Sequence, residues 1–261
     1  MLKFTANLSL LFTELPLIER FKAAKKHGFD AVEIQFPYEM DALKLKNELD
    51  NNQLKLVIFN VAADDLLQGG EGLAAVPEKQ HQFQKALATT VEYAKILKPE
   101  AINILPGCCF DEKKLTSYQN IFKENLKLAL NAFSPLGIKT IFEAINTYDM
   151  PHFIIHNSNQ MLDIINEIKH PDLFMQYDIY HLYKMHEDPK LFISTYADKI
   201  GHIQFADSPT RHEPGTGEID FDALFNSIEK SNYLGWVGAE YKPLQSTEKS
   251  LAWLTSQKNK T

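Results

Sequence analysis

Short apolar runs alternate along the chain with longer segments in which apolar residues recur every three to four positions. This alternation is typical of repeated βα units around a parallel sheet. Most of the short runs are apolar on both faces, as strands covered by helices must be. The eight runs are KFTANLS, AVEIQFP, KLVIFNVA, AINILPG, TIFEAIN, FMQYDIYH, GHIQFAD and WVGAEYKP.

The segments between these runs predict helices. In the first, Leu17, Phe21 and Ala24 share one face, Pro16 stands near the start and Gly28 lies just past the end, where a left-handed cap costs least. The other helices are predicted at about residues 40–51, 78–97, 114–133, 159–168, 189–196, 221–231 and 247–257.

Eight βα units in 261 residues match the usual size of a (β/α)8 TIM barrel. No Ser/Gly/Pro-rich linker interrupts the chain, so we expect one TIM-barrel domain over residues 1–261. A doubly wound open sheet is the alternative, but LLFTELP follows the first strand where that fold has a Gly-rich turn. Gly-containing loops at 62–77 and 207–220 stand where barrel enzymes carry substrate-covering loops.

Four of the predicted strands, the fifth to the eighth, each carry a lone polar side chain near the end. These residues are Glu143, Asp178, Gln204 and Glu240, each expected two to four residues before its strand ends. Successive strands are neighbours in a parallel barrel, so the four side chains can converge at the rim where active sites of this fold lie. Any one of them could instead face outward.

Three buried carboxylates close together repel one another and lose their hydration, so the cluster needs a compensating cation. Three carboxylates and an amide oxygen are hard ligands, which suit Mg²⁺ or Mn²⁺ better than Zn²⁺ or copper. His202 would lie deeper in the barrel, and we leave it out of the ligand set.

Composition and charge narrow the function classes. The formal charge of −7 repels phosphate backbones, so we expect a small-molecule substrate and no nucleic acid. No stretch approaches the roughly 20 apolar residues that span a bilayer, and we expect no membrane partner. The two cysteines are neighbours, Cys108 and Cys109, which rarely pair, so we expect a cytoplasmic protein. A homo-oligomer stays open.

Longer segments resemble the hydroxypyruvate isomerase family of the xylose-isomerase-like barrels, close to the 2-oxo-tetronate isomerases. The resemblance covers nearly the full length. It is carried by ANLSLLFTELPLIERF, GFDAVEIQFPY, FEAIN, QYDIYH, GHIQFADSPTRHEPGTGEI and GWVGAEYKP.

The resemblance implies a metal-dependent aldose-ketose type isomerase, with ligands carried over onto Glu143, Asp178, Gln204 and Glu240. It also implies that Glu143 and Glu240 transfer the proton. Ala144 stands where hydroxypyruvate isomerases usually have proline, and NVAADD at 60–65 departs from their NLPAGD-like loop. These departures leave hydroxypyruvate and a 2-oxo-tetronate as alternative substrates.

A substrate carboxylate needs a cation, and Arg211 and Lys242 are the candidates. Arg211 could instead anchor its loop through Glu213 or Asp207, and Lys242 could face solvent. His181 is a candidate donor to a substrate oxygen. Weaker rim candidates are Asn7, Glu33, Asn60 and Asp149.

Two other functions stay open on sequence alone, and a third is disfavoured. A ketose 3-epimerase would act on neutral sugars, and a metabolite-binding barrel would not turn its ligand over. An abasic-site endonuclease would need several rim histidines and a basic surface, neither of which this acidic chain offers.

Overall fold

Residues 2–259 are described by a computed structural model, and they contain nine parallel strand segments. The strands are β1 (Lys3–Asn7), β2 (Ala31–Glu33), β3 (Lys55–Leu56), β4 (Ile58–Asn60), β5 (Ala101–Ile104), β6 (Lys139–Glu143), β7 (Leu173–Asp178), β8 (Ile200–Phe205) and β9 (Trp236–Ala239). They pair in the order β3-β2-β1-β9-β8-β7-β6-β5-β4.

The third predicted strand is split into β3 and β4 by Val57, and this residue closes the ring. The Val57 N–H donates to the Val32 carbonyl on one side (2.9 Å), and the Val57 carbonyl accepts from Ala101 N–H on the other (3.1 Å). With β3 and β4 counted as halves of one strand, the predicted (β/α)8 barrel is confirmed. The predicted domain limits, residues 1 and 261, lie outside the described residues.

Helices cover the outside of the ring. They are α1 (Leu17–Lys26), α2 (Ala42–Asn51), α3 (Gln80–Leu97), α4 (Leu115–Phe133), α5 (Ser158–Ile168), α6 (Ile179–Lys184), α7 (Pro189–Tyr196), α8 (Phe221–Lys230), α9 (Thr247–Ser250) and α10 (Ala252–Asn259). α1 ends as predicted before Gly28, whose φ is +89°. Helix α6 was not predicted, and the predicted last helix is interrupted at Leu251.

The barrel interior changes character along its axis. At the amino ends of the strands a small apolar cluster includes Ala31, Ala101 and Trp236. Towards the carboxyl ends polar side chains take over, and Glu33 is fully buried there. A Cβ on Gly238 would lie 2.0 Å from Glu33 Oε1, so this glycine makes room for the carboxylate. The barrel mouth is therefore built for polar side chains.

Two further predictions concern the whole chain. Within residues 2–259, no helix combines the length and the apolar character that a membrane span requires. Cys108 and Cys109 are both buried, and neither forms a disulfide bond.

Candidate active site

Three of the four side chains predicted to bind a metal line one cavity at the carboxyl ends of the strands. Glu143 is the last residue of β6, Gln204 lies one residue before the end of β8, and Glu240 directly follows β9. The cavity has a volume of about 400 Å³, and each of the three residues is at most 5% exposed. Side chains from separate strands thus meet at the face where TIM barrels carry active sites.

Asp178, the fourth predicted ligand, lies at the edge of this group. Its Oδ1 accepts hydrogen bonds from the backbone N–H groups of Tyr180 (2.8 Å) and His181 (3.2 Å), so Asp178 caps α6. Its Oδ2 lies 3.7 Å from His181 Nε2 and 3.9 Å from Arg211 Nη2. The predicted strand through residue 181 is therefore wrong in its last three residues, because the cap ends β7 at Asp178.

The other acids also stand closer to the strand ends than predicted. Glu143 ends its strand, and Glu240 lies one residue beyond β9, so the expected offset of two to four residues is wrong. The barrel strands are shorter than the apolar runs because several runs continue into the loops at the rim. Because Glu143 and Glu240 stand at the strand ends, their carboxylates reach the cavity.

Glu240 accepts hydrogen bonds at both carboxylate oxygens. Its Oε1 accepts from Asn7 Nδ2 (2.8 Å), Gln35 Nε2 (3.1 Å) and Gln204 Nε2 (3.2 Å). Its Oε2 accepts from Arg211 Nη2 at 2.8 Å. Burial raises the pKa of Glu240 to about 7, although the Arg211 guanidinium pulls this pKa down. A carboxyl with such a pKa can accept and donate a proton near neutral pH.

Glu143 has a single strong donor in the cavity wall. Asn103 Nδ2 donates to Glu143 Oε1 at 2.6 Å and also reaches Asn60 Oδ1 at 3.2 Å. Burial raises the pKa of Glu143 well above its usual value, and the charges of Glu240 and Asp178 raise it further. The two glutamates therefore oppose each other's ionisation across the cavity.

Gln204 joins the cavity to buried polar side chains beneath it. Its Nε2 donates to Glu33 Oε2 at 2.7 Å, and its Oε1 accepts from Gln176 Nε2 at 2.6 Å. Glu33 Oε1 in turn lies 2.7 Å from His202 Nε2. Gln204 thus presents its amide nitrogen to the carboxylates, and a half-turn of the amide would present the oxygen that a metal needs.

Arg211 lies on the loop after β8 and points into the cavity. Besides its bond to Glu240, its guanidinium carbon lies 5.2 Å from the centre of the Tyr180 ring. Burial lowers the pKa of Arg211, but Glu240 and Asp178 outweigh this effect and raise it. Arg211 is therefore a permanent cation beside the acids.

The alternative role for Arg211, a loop anchor paired with Glu213 or Asp207, is wrong. Asp207 instead accepts from backbone N–H groups within the loop, and Glu213 Oε2 accepts from Leu244 N–H at 2.9 Å. Lys242 is exposed and lines the cavity, and its N–H donates to the Arg211 carbonyl at 2.9 Å. The two predicted carboxylate-binding cations thus stand on segments that are hydrogen-bonded together.

His181 also lines the cavity, from the first turn of α6. Burial lowers the pKa of His181 to about 4, so its imidazole is neutral at pH 7. The weaker rim candidates line the same cavity: Asn7, Glu33, Asn60 and Asp149.

Several residues of the site were not predicted. Asn103 is a lone polar residue in the apolar strand β5, the same signal that singled out Gln204, and Gln176 stands two residues before Asp178 in β7. Gln35 lies two residues beyond β2 and Asn146 three residues beyond β6, and both could have been found by extending that rule to the first loop residues.

The donors present fit a divalent metal ion. Glu143, Asp178 and His181 offer ligand atoms within 4.8 Å of one another. The pKa of Glu240 is raised, as is that of Glu143. Both shifts indicate that Arg211 compensates the negative charge of these carboxylates only in part. A dication would relieve that repulsion.

Comparison with known proteins agrees with this geometry. Residues 21–257 match the sequence model of a family described as xylose isomerase-like TIM barrel. Hydroxypyruvate isomerase from Escherichia coli is 40% identical, over 97% of this chain and 98% of its own length. 2-Oxo-tetronate isomerase from Pectobacterium atrosepticum is 36% identical, over 96% of each chain.

Among solved structures, an AP endonuclease, family 2, from Brucella melitensis superimposes with a TM-score of 0.94. It is 33% identical and covers 98% of this chain and 99% of its own. Sequence and structure agree over nearly the whole length with proteins of one group, as the resemblance predicted. The chain belongs to the xylose isomerase-like TIM barrel family.

Proposed function

We propose that this protein isomerises small hydroxy-oxo acids and interconverts hydroxypyruvate and 2-hydroxy-3-oxopropanoate with Mg²⁺ or Mn²⁺. The identity of 40% with a hydroxypyruvate isomerase supports the reaction class. The observation that carries the proposal is the pair of buried glutamates, Glu143 and Glu240, whose pKa values are both raised within one small cavity.

The reaction needs a group that takes a proton from carbon and a group that returns one. Hydroxypyruvate loses a proton from its CH₂OH carbon, passes through an enediol, and gains a proton on the neighbouring carbon while an O–H proton moves between the two oxygens. Glu143 and Glu240 are suited to the carbon proton, because a raised pKa makes a carboxylate a stronger base. A bound dication would supply electrostatic stabilisation of the negative charge that develops on the substrate oxygens.

The remaining cavity residues bind and orient the substrate in this proposal. Arg211 and Lys242 supply the cations for its carboxylate, and a guanidinium can bind a carboxylate through two parallel hydrogen bonds. Arg211 would exchange its contact with Glu240 for the substrate. His181 would donate a hydrogen bond to a substrate oxygen.

A four-carbon substrate is the second candidate. The 2-oxo-tetronate isomerase from Pectobacterium atrosepticum is 36% identical, only slightly below the hydroxypyruvate isomerase. A cavity of about 400 Å³ has room for either acid. Apolar side chains, including Ile145, Leu105 and Met150, line it and would contact the longer chain.

DNA cleavage, which the name of the Brucella melitensis protein suggests, is less favoured. The formal charge of −7 opposes binding of a phosphate backbone. Of the residues that line the cavity, one is a histidine, His181, whereas clustered zinc sites need several.

The proposal is tested with purified protein and a panel of hydroxypyruvate, a 2-oxo-tetronate, a neutral ketohexose and abasic DNA. We expect turnover of an oxo acid that a chelator abolishes and that Mg²⁺ or Mn²⁺ restores. Product formed in D₂O should carry deuterium on carbon. Turnover of the ketohexose with none of the acids would contradict the proposal.

Glu143→Gln and Glu240→Gln should each lower kcat by about 10²-fold or more, because the amide cannot accept the proton. Both variants should keep the circular dichroism of the parent and have a thermal midpoint at pH 7 no lower than that of the parent, since a neutral amide removes repulsion from the cavity. Glu124→Gln, at an exposed position on α4, is the matched control and should be fully active. Full activity in both cavity variants would rule out proton transfer by these residues.

A further inference from the structure

Asn146 lies three residues beyond the end of β6 and is fully buried beside His181. Its side-chain oxygen accepts hydrogen bonds from the backbone N–H groups of Tyr148 (3.1 Å) and Asp149 (2.8 Å). Its Nδ2 donates to Asp149 Oδ2 at 3.1 Å. Three contacts that do not involve histidine therefore fix which end of the amide is nitrogen.

The same Nδ2 lies 2.7 Å from His181 Nδ1, and the backbone N–H of Asn146 approaches that ring nitrogen at 3.4 Å. Both groups carry hydrogen, so Nδ1 must offer its lone pair. A proton on Nδ1 would force the amide to turn over. Its NH₂ would then face two backbone N–H groups, and its oxygen would face the Asp149 carboxylate.

A neutral imidazole carries one proton, and whichever hydrogen bond one nitrogen makes assigns the proton to the other. With Nδ1 accepting, the proton of His181 is on Nε2, which lies 3.7 Å from Asp178 Oδ2 at the cavity wall. While Nδ1 accepts from Asn146, the ring cannot carry a proton on both nitrogens, so the geometry itself requires the singly protonated form.

We propose that Asn146 is a positioning residue that holds His181 as the Nε2–H tautomer, so that His181 is a hydrogen-bond donor to the substrate and not a metal ligand. A ligating imidazole nitrogen must offer its lone pair, and Nε2 has none available in this tautomer. His181 thereby leaves the group of three possible ligands that it forms with Glu143 and Asp178. The substrate contact rests on the proposed function, whereas the tautomer does not.

The tautomer is measured directly by long-range ¹H–¹⁵N NMR on metal-free, substrate-free protein labelled in histidine. The His181 signals are assigned by their loss in His181→Gln. We expect an unprotonated Nδ1 and a protonated Nε2 in the parent. A protonated Nδ1 in the parent overturns the inference whatever the substrate proves to be, because neither metal nor substrate is present.

Asn146→Asp replaces the donor at His181 Nδ1 by a carboxylate acceptor, and we expect Nδ1 to gain a proton. The kcat should fall about 10-fold or more while KM changes less, and Mn²⁺ affinity measured by electron paramagnetic resonance should not weaken. Asn157→Asp, the same change at the cap of α5, keeps its capping oxygen and should alter neither spectrum nor rate.

Asn146→Ser is the second variant for this test if Asn146→Asp does not fold. It removes the Nδ2 donor without adding charge and should give a mixture of the two tautomers with an intermediate rate. Retention of a pure Nε2–H form and full activity in Asn146→Ser would show that Asn146 does not set the proton. Loss of Mn²⁺ binding in folded His181→Gln would instead make His181 a metal ligand and contradict the proposal.

Discussion

At the scale of single residues, Arg211 has two competing partners. In the structure it binds Glu240 at 2.8 Å and lies 3.9 Å from Asp178, so it partly neutralises the acids that a metal would bind. The proposed function gives it a second partner, the substrate carboxylate. Both roles use the same positive charge, and removing it should therefore affect metal and substrate in opposite directions.

Arg211→Met should raise KM for hydroxypyruvate about 10- to 100-fold, because the variant loses a charge-assisted hydrogen bond to the substrate, and such a bond typically changes affinity by this factor. In the absence of substrate the same variant should bind Mn²⁺ more tightly, because no cation then competes for Glu240. Steady-state kinetics and a Mn²⁺ titration measure the two effects. Lys190→Met, which removes one exposed charge on α7, is the control, and an unchanged KM in Arg211→Met would contradict the substrate contact.

At the scale of elements, the loop of residues 207–220 is organised by one buried carboxylate. Asp207 Oδ1 accepts from the N–H groups of Ser208 (2.9 Å) and Ile219 (3.1 Å). Its Oδ2 accepts from Gly215 (2.9 Å), Thr216 (3.0 Å) and Gly217 (2.8 Å). These bonds join both ends of the loop that carries Arg211.

Asp207→Ala should loosen this loop, because five backbone N–H groups lose their acceptor at once. We expect a loss of about 2–4 kcal/mol in unfolding free energy and faster proteolysis within residues 208–219. KM should rise more than kcat falls, since Arg211 loses its support while the glutamates keep theirs. Asp220→Ala, which removes only the cap of α8, is the control. Equal effects of both changes on KM would contradict a specific role for Asp207.

Periodicity predicted the elements but not their ends. Apolar alternation in FMQYDIYH predicts one strand through residue 181, yet the carboxylate of Asp178 caps α6 and ends the strand there. A capping bond depends on where the next three residues go, which alternation does not encode. Asn103 and Gln176 were missed for a related reason: the role of an amide in an apolar strand shows only when its partner on another strand is known. Those partners are Glu143 for Asn103 and Gln204 for Gln176.

At the scale of the whole molecule, the barrel places a strongly acidic layer at one end of an apolar core. Glu33, Glu143 and Glu240 are each at most 5% exposed in the residues described. The spacing of the βα units predicted the fold correctly, because it determines which strand ends meet, and the resemblance agreed with it. Glu240 accepts hydrogen bonds from Asn7, Gln35 and Arg211, which stabilise its negative charge. These bonds join residues far apart in sequence and form only in the folded chain.

The acidic layer makes the stability of the metal-free protein depend on pH in a definite direction. The pKa values of Glu143 and Glu240 are raised in the folded protein, that of Glu240 to about 7, whereas unfolded glutamates titrate near ~4.3. Between these values the folded state binds more protons than the unfolded state. Stability is therefore fully present below the unfolded pKa and falls as pH rises through the folded pKa.

We expect the thermal midpoint of the chelator-treated protein to fall between pH 5 and pH 8, by about 3 °C for each kcal/mol lost. Glu240→Gln should flatten this dependence, because the amide has no proton to lose, while Glu124→Gln should follow the parent curve. Saturating Mn²⁺ should also flatten it and raise the midpoint, because metal at a hundredfold excess over Kd adds about 2.7 kcal/mol to the unfolding free energy. Parallel curves for the parent and Glu240→Gln, with and without metal, would mean that these carboxylates do not repel one another in the folded barrel.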